Sequence, residues 1–181
     1  NWLDAGLPHA RVSGRQAGPD QETLERFLAM ALRDGYRKNT FLVARIPARL
    51  AVSRKDMELF LNGQLTRPGT DVLDFYCIDG IQRSDWATLK ERDTAEFLEA
   101  ARQAGKIRHA GFSAWDTPEL FREILAWRDW SFCLQAYNYL APRFQAGKGG
   151  VALAVRQGLG VAATSPLLGG FLADALPEEA R

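Results

Sequence analysis

The segment VLDFYCIDG, Val72 to Gly80, is an apolar strand-like run that ends on a carboxylate. A charge at Asp79 is costly at the end of a buried strand unless a cation pairs with it. Arg45, in the earlier run FLVARIP, also stands near a strand end. If the two strands are neighbours, an Arg45–Asp79 ion pair is the expected local event. Proton transfer near neutral pH needs a group that titrates there, and the sequence holds only two histidines, His9 and His109. His109 lies within KIRHAGF, where alternation turns it toward either face; a structural or solvent-facing role is expected for it. His9 lies five residues beyond Asp4 in NWLDAGLPHA. Cys77 and Cys133 sit in apolar runs, not at paired metal-ligand spacing, and read as buried, reduced thiols of a cytosolic protein.

Positioning these groups requires strands that all deliver their ends to one side. QETLERFLAMALRDG places Leu24, Phe27, Leu28 and Ala31 on one helical stripe, with Gly35 closing it. Ser53 caps a second helix whose Met57, Leu61 and Leu65 align. DTAEFLEAARQAG aligns Phe97, Leu98 and Ala101 ahead of Gly105, and Thr117-Pro118 opens the helix PELFREILAWR. GGVALAVRQGLG reads as the last helix; its paired glycines are only weak evidence for a phosphate-binding turn.

Strand starts near 41, 72, 107, 132 and 161 are 31, 35, 25 and 29 residues apart. One helix per interval is the signature of successive βαβ units in a parallel sheet. With the opening NWLD, the count is six strands and five intervening helices in one domain over residues 1–181. No G-x-G-x-x-G follows the early strands, which disfavours a dinucleotide-binding open sheet. A (β/α)8 TIM barrel is the alternative, and a complete one needs about 250 residues. Six of eight units fit 181 residues, so an incomplete barrel, about strands 2 to 7, is expected; its open edges would invite self-association or a protein partner.

The net charge of +1, with both signs intermixed, gives no electrostatic support for nucleic acid or an anionic membrane. No apolar run approaches the length of a membrane span.

LRDGYRKNTFLVARIP, LTRPGTDVLDFYCIDG, AARQAGKIRHAGFSAWD, CLQAYNYLAP and GLGVAATSPLLGG follow one another in the order and spacing of the aldo-keto reductases, which the sequence resembles over nearly its whole length. It looks most like a bacterial branch that often carries a C-terminal iron–sulfur extension; these residues hold no cysteine cluster for one. The resemblance implies an NADP(H)-dependent reduction of small carbonyl compounds at the C-terminal mouth of the barrel. In the family a Tyr hydroxyl protonates the developing alkoxide, a Lys paired with an Asp tunes it, and a His orients the carbonyl.

Carried over residue by residue, Asp4 matches the family Asp, while His9 stands at the usual Tyr, Arg45 at the usual Lys and Asp79 at the usual His. Ser113 and Gln135 match residues that hold the nicotinamide carboxamide, and Ala114 replaces an Asn beside that Ser. Thr164 stands where an aromatic commonly stacks beneath the nicotinamide. Ser165, Leu167 and Gly169 belong to the family-like turn SPLLGG, and Trp115 is the candidate pocket aromatic. Tyr137, Trp127 and Trp130 are expected to be packing residues.

Three readings of Asp4, His9, Arg45 and Asp79 stay open. In the first they form an altered acid/base site with His9 as the proton-transfer group, oriented by Asp4 or Asp79, and Arg45 neutralises the carboxylates or binds a substrate anion. In the second, Arg45 and Asp79 are a buried pair that keeps the mouth folded without chemistry, and the barrel serves as a binding or assembly module. Redox-neutral acid/base catalysis by His9 with Asp4 is the third possibility.

Overall fold

The computed structural model describes residues 2–4 and 21–173, with side chains at Leu3 and from residue 26 onward. Strands and helices alternate as β1 (Trp2–Asp4), α1 (Gln21–Ala31), β2 (Phe41–Pro47), α2 (Arg54–Thr66), β3 (Leu73–Ile81), α3 (Arg83–Glu91), α4 (Thr94–Gln103), β4 (Ile107–Ala114), α5 (Pro118–Trp127), β5 (Phe132–Ala136), α6 (Gly147–Arg156) and β6 (Gly160–Thr164). The six strands lie side by side in chain order, every neighbouring pair parallel. A doubly wound sheet reverses direction at a switch point, whereas this order runs one way only. The architecture is therefore an incomplete (β/α)8 barrel in which all strand ends point to one mouth.

Period-two alternation divides the apolar residues between two faces. Leu42, Ile46, Tyr76, Ile78, Phe112 and Cys133 pack under the helices, where they meet Met57, Leu61, Phe97 and Phe121. Cys77, Phe132 and Leu134, with Phe75 and Ala162, form a smaller cluster on the opposite face. Gly111 lacks a side chain for a reason of space: a Cβ there would stand 2.4 Å from the Phe132 ring. Trp127 and Trp130 pack in an aromatic group with Trp86, as packing residues should.

The predicted caps are present. The Ser53 hydroxyl accepts from the Asp56 N–H, and Thr117 Oγ1 accepts from the Leu120 N–H with Pro118 at the first helical position. Three expectations need correction. The β3–β4 interval holds two helices, not one, so the described residues form six α-helices. The extra one, α3, buries only Trp86 and Leu89 and shows a weak apolar stripe. What starts it is polar: a capping box between Gln82 and Asp85, with the Arg83 N–H donating to Asp116. The strand expected to run through SFCLQAYNYL stops at Ala136, because Asn138 Oδ1 accepts from the Leu140 and Ala141 N–H groups and bends the chain into a turn. In α1, Leu28 is buried but Phe27 is 59% exposed, so the stripe is narrower than the sequence pattern.

At the N-terminal ends of the strands a buried acid ties three segments together. Asp74, 2% exposed in its side chain, accepts from the Leu42 N–H at 2.9 Å and pairs with Arg37 at 2.9 Å and Arg108 at 2.8 Å. Arg37 also donates to Thr70 Oγ1 and to the Thr40 and Val72 carbonyls. A satisfied network at that end of a barrel is a stability device.

Candidate active site

The opposite ends of β2, β3 and β4 bring Arg45, Asp79 and Ser113 together. Asp79 falls within β3, at a register irregularity against β4 between Ile78 and Ile81. Such an irregularity re-aims side chains, and here Asp79 reaches its neighbour on β4. The Ser113 hydroxyl donates to Asp79 Oδ1 at 2.6 Å and accepts from the Gly80 N–H at 2.7 Å. Arg45 Nη1 stands 3.8 Å from Asp79 Oδ2, with both side chains about nine-tenths buried. The ion pair expected from the sequence is thus present. Arg45 is placed in turn by α2, whose Gln64 amide donates to the Arg45 carbonyl at 2.9 Å.

Gly80 has a left-handed φ of 70°, and a Cβ there would stand 3.6 Å from the Trp115 indole. The Trp115 N–H donates to the Ile81 carbonyl, which seats the ring beside the turn, and the side chain remains 42% exposed. Trp115 therefore stands beside the Gly80 turn at the end of β3.

Gln135 lies on β5, one residue past the Cα partner of Ser113, which is Leu134. It is fully buried; its Nε2 donates to the Ala136 carbonyl, while its Oε1 has no hydrogen-bond partner among the described residues. Thr164 ends β6 beside Ala136. Beyond it the chain turns sharply, with positive φ at Ser165, Leu168, Gly169 and Gly170, and Ser165 and Leu167 are exposed. Asp4 ends β1, with its Cα opposite Val43, and its side chain lies outside the described residues. His9 lies outside them altogether.

His109 is exposed and stacks on Phe75 at 5.0 Å, the structural position expected of it. Both cysteines are free and buried. Among the described residues no group of histidine, cysteine and carboxylate could hold a metal ion, and no helix is long and apolar enough to cross a membrane. Sequence reasoning missed the Ser113–Asp79 bond. It joins residues near the ends of consecutive strands at a register irregularity that the sequence pattern does not show.

One-way winding of parallel strands, with polar residues gathered at their C-terminal ends, defines a barrel of the kind that carries its chemistry in the mouth. The aldo/keto reductase family model matches residues 13–181, and the chain belongs to that family. Its fold is shared by an aldo-keto reductase from Bacillus halodurans, AKR11C1 in its holo form, at 24% identity with a TM-score of 0.74, over 98% of this chain and 55% of that one. An aldo-keto reductase from Klebsiella pneumoniae in complex with NADPH matches at 23% identity and a TM-score of 0.71, over 97% and 56% of the two chains. The Klebsiella pneumoniae aldo/keto reductase in complex with NADP and acetate matches at 26% identity and a TM-score of 0.70, again over 97% and 56%. The chain thus spans about half the length of these proteins. No curated protein matches the sequence.

Proposed function

We propose that this chain supplies part of an NADP(H)-dependent oxidoreductase acting on small carbonyl compounds, with altered proton-handling groups at the mouth. The observation that carries the reading is the convergence of Arg45, Asp79 and Ser113 at the strand ends where this family works, with the orphaned Gln135 acceptor on the next strand. The residues suit the N–H side of a nicotinamide carboxamide: Gln135 Oε1 is an open acceptor, and Ser113 keeps one lone pair beyond those used by its own two bonds. Thr164, Ser165, Leu167 and Gly169 would lie along the same cofactor, and Trp115 would border the substrate. NADP(H), when bound, supplies the hydride.

The chain's own residues then set the charge and the proton. An arginine keeps its proton at neutral pH, and a carboxylate has none to give, so neither Arg45 nor Asp79 replaces a tyrosine acid. Proton delivery falls to His9, with Asp4 as its orienting partner. The Arg45 guanidinium offsets the charge of Asp79, which would otherwise oppose a developing oxyanion. A cytoplasmic location fits the same reading. Titrating the protein with NADPH, followed by protein fluorescence or calorimetry, tests it: saturable binding is expected, and its absence overturns the proposal. If turnover is found, His9→Ala should abolish it with the fold intact.

A second reading is favoured by one feature: the only Ser113 proton is committed to Asp79, so Arg45, Asp79 and Ser113 pair among themselves without a ligand. The barrel would then be a binding or assembly module. Restoring the family residues through His9→Tyr, Arg45→Lys and Asp79→His tests this reading: no gain of carbonyl reduction, with partner binding surviving, favours the module.

A further inference from the structure

On the outer surface, far along the chain from Arg45 and Asp79, α5 and α6 leave a half-open cavity of about 640 Å3 between them. Its floor is apolar, with Phe121 from α5 and Leu153 from α6. Arg122, Arg143, Lys148 and Arg156 line it, and no acidic residue does. That is a local excess of one sign in a chain whose net charge is only +1. Several surface arginines elsewhere take acidic partners, Arg54 with Glu58, Arg83 with Glu123 and Arg102 with Glu99. In the groove Arg122 pairs with Glu119, but Arg143, Lys148 and Arg156 make no ion pair among the described residues.

The glycines of α6 separate packing from exposure. Gly147 has φ 50° and a Cβ there would stand 2.4 Å from the Pro142 carbonyl oxygen; at Gly150 a Cβ would meet Ala146 at 2.5 Å and Phe121 at 3.4 Å. Both are required by close approach. Gly149 also lines the cavity, yet a Cβ there would meet nothing within 4 Å. A helical glycine with room for a side chain is destabilising relative to alanine, so packing does not account for it.

We propose that this groove binds a small organic anion, its apolar body on Phe121 and Leu153 and its carboxylate, sulfonate or phosphate held by Arg143, Lys148 and Arg156. The cavity is of small-molecule size, and its apolar floor with a few polar groups is the usual build of such a site. Gly149 keeps the helix backbone open to the ligand. The cations select against neutral molecules of the same shape.

The test uses 1-anilinonaphthalene-8-sulfonate, an apolar-bodied anion, against its neutral counterpart N-phenyl-1-naphthylamine, by fluorescence titration of the protein. Saturable binding of the anion is expected, weakened about tenfold by Arg143→Ala, Lys148→Ala or Arg156→Ala and by raised salt, because each removes or screens one attractive charge. Gly149→Ala should raise thermal stability while weakening binding, which a purely structural glycine would not do. Decanoate and inorganic phosphate as competitors tell which part of the ligand matters: decanoate should displace the probe and phosphate alone should not. Equal binding of the neutral compound, or affinities unchanged in the three cation variants, overturns the proposal. Displacement of the probe by poly-glutamate but not by decanoate also overturns it, in favour of an acidic peptide.

Discussion

The Ser113 hydroxyl donates its only proton to Asp79 Oδ1 at 2.6 Å, while the same oxygen accepts the Gly80 N–H at 2.7 Å. One residue thereby bridges β4 to the irregular end of β3 and fixes the carboxylate that faces Arg45. Ser113→Ala removes both bonds but keeps the volume nearly unchanged. It should destabilise the protein by about 1.5–3 kcal/mol, the usual range for a hydrogen bond to a charged group. Urea unfolding midpoints check this. A loss well under 0.5 kcal/mol, on the order expected of an ordinary surface change, would show that the bond contributes nothing.

The far end of the sheet makes a comparable prediction with a larger magnitude. Asp74→Ala leaves the Leu42 N–H without its acceptor and strips Arg37 and Arg108 of their shared partner. Removing one member of a buried ionic network costs about 3–5 kcal/mol. Arg108 is more than half exposed, so the lower end of that range is expected. Asp74→Asn keeps an acceptor for Leu42 and should lose less. Chemical denaturation of both variants tests the order, and an equal loss for the two would place the energy in the charges rather than in the backbone bond.

Much of this organisation was legible in the sequence because it repeats. Strand–helix spacing, the Ser53 and Thr117 caps and the stripe of Met57, Leu61 and Leu65 are local signals that packing left in place. The Arg45–Asp79 pair was legible from cost alone, since two charges at neighbouring strand ends have little alternative. Helix α3 was not, because its start depends on side-chain oxygens of Gln82, Asp85 and Asp116 instead of an apolar stripe. Asp74 looked like one more residue of an apolar strand; its partners are 37 residues before it and 34 after it in the sequence, at Arg37 and Arg108. Ser113 was legible as a site residue but not its bond, which depends on the register irregularity in β3.

Glycines in α6 provide a contrast between required and dispensable backbone freedom. Gly147→Ala must place a Cβ 2.4 Å from a carbonyl oxygen at a left-handed φ. A non-glycine residue there costs about 1–2 kcal/mol from backbone conformation alone, with the clash in addition. Gly149→Ala meets no atom and should stabilise by about 0.5–1 kcal/mol. Opposite signs of the shift in melting temperature for these two neighbouring substitutions are the expected outcome. A stabilised Gly147→Ala would contradict the close approach of Pro142.

The two buried thiols set the response to alkaline pH. Burial pushes Cys133 from its ordinary value of 9.0 up to about 12, and it also raises Cys77 well above that ordinary value, helped by the negative charge of Asp79. A raised pKa in the folded state means that the native protein holds a proton which the unfolded chain releases above pH 9. The stabilising contribution is therefore complete below pH 9 and declines as pH rises from 9 toward 12, because the unfolded state binds fewer protons there. Cys133→Ala removes this term along with some packing, so its absolute stability is not the informative quantity. Between pH 9 and the onset of alkaline unfolding, the urea midpoint of the unsubstituted protein should fall more steeply with pH than that of Cys133→Ala. Parallel slopes would show that Cys133 titrates alike in both states. Native protein at pH 8.5 should also resist iodoacetamide at both cysteines while the urea-unfolded chain reacts, since the thiolate is the nucleophile.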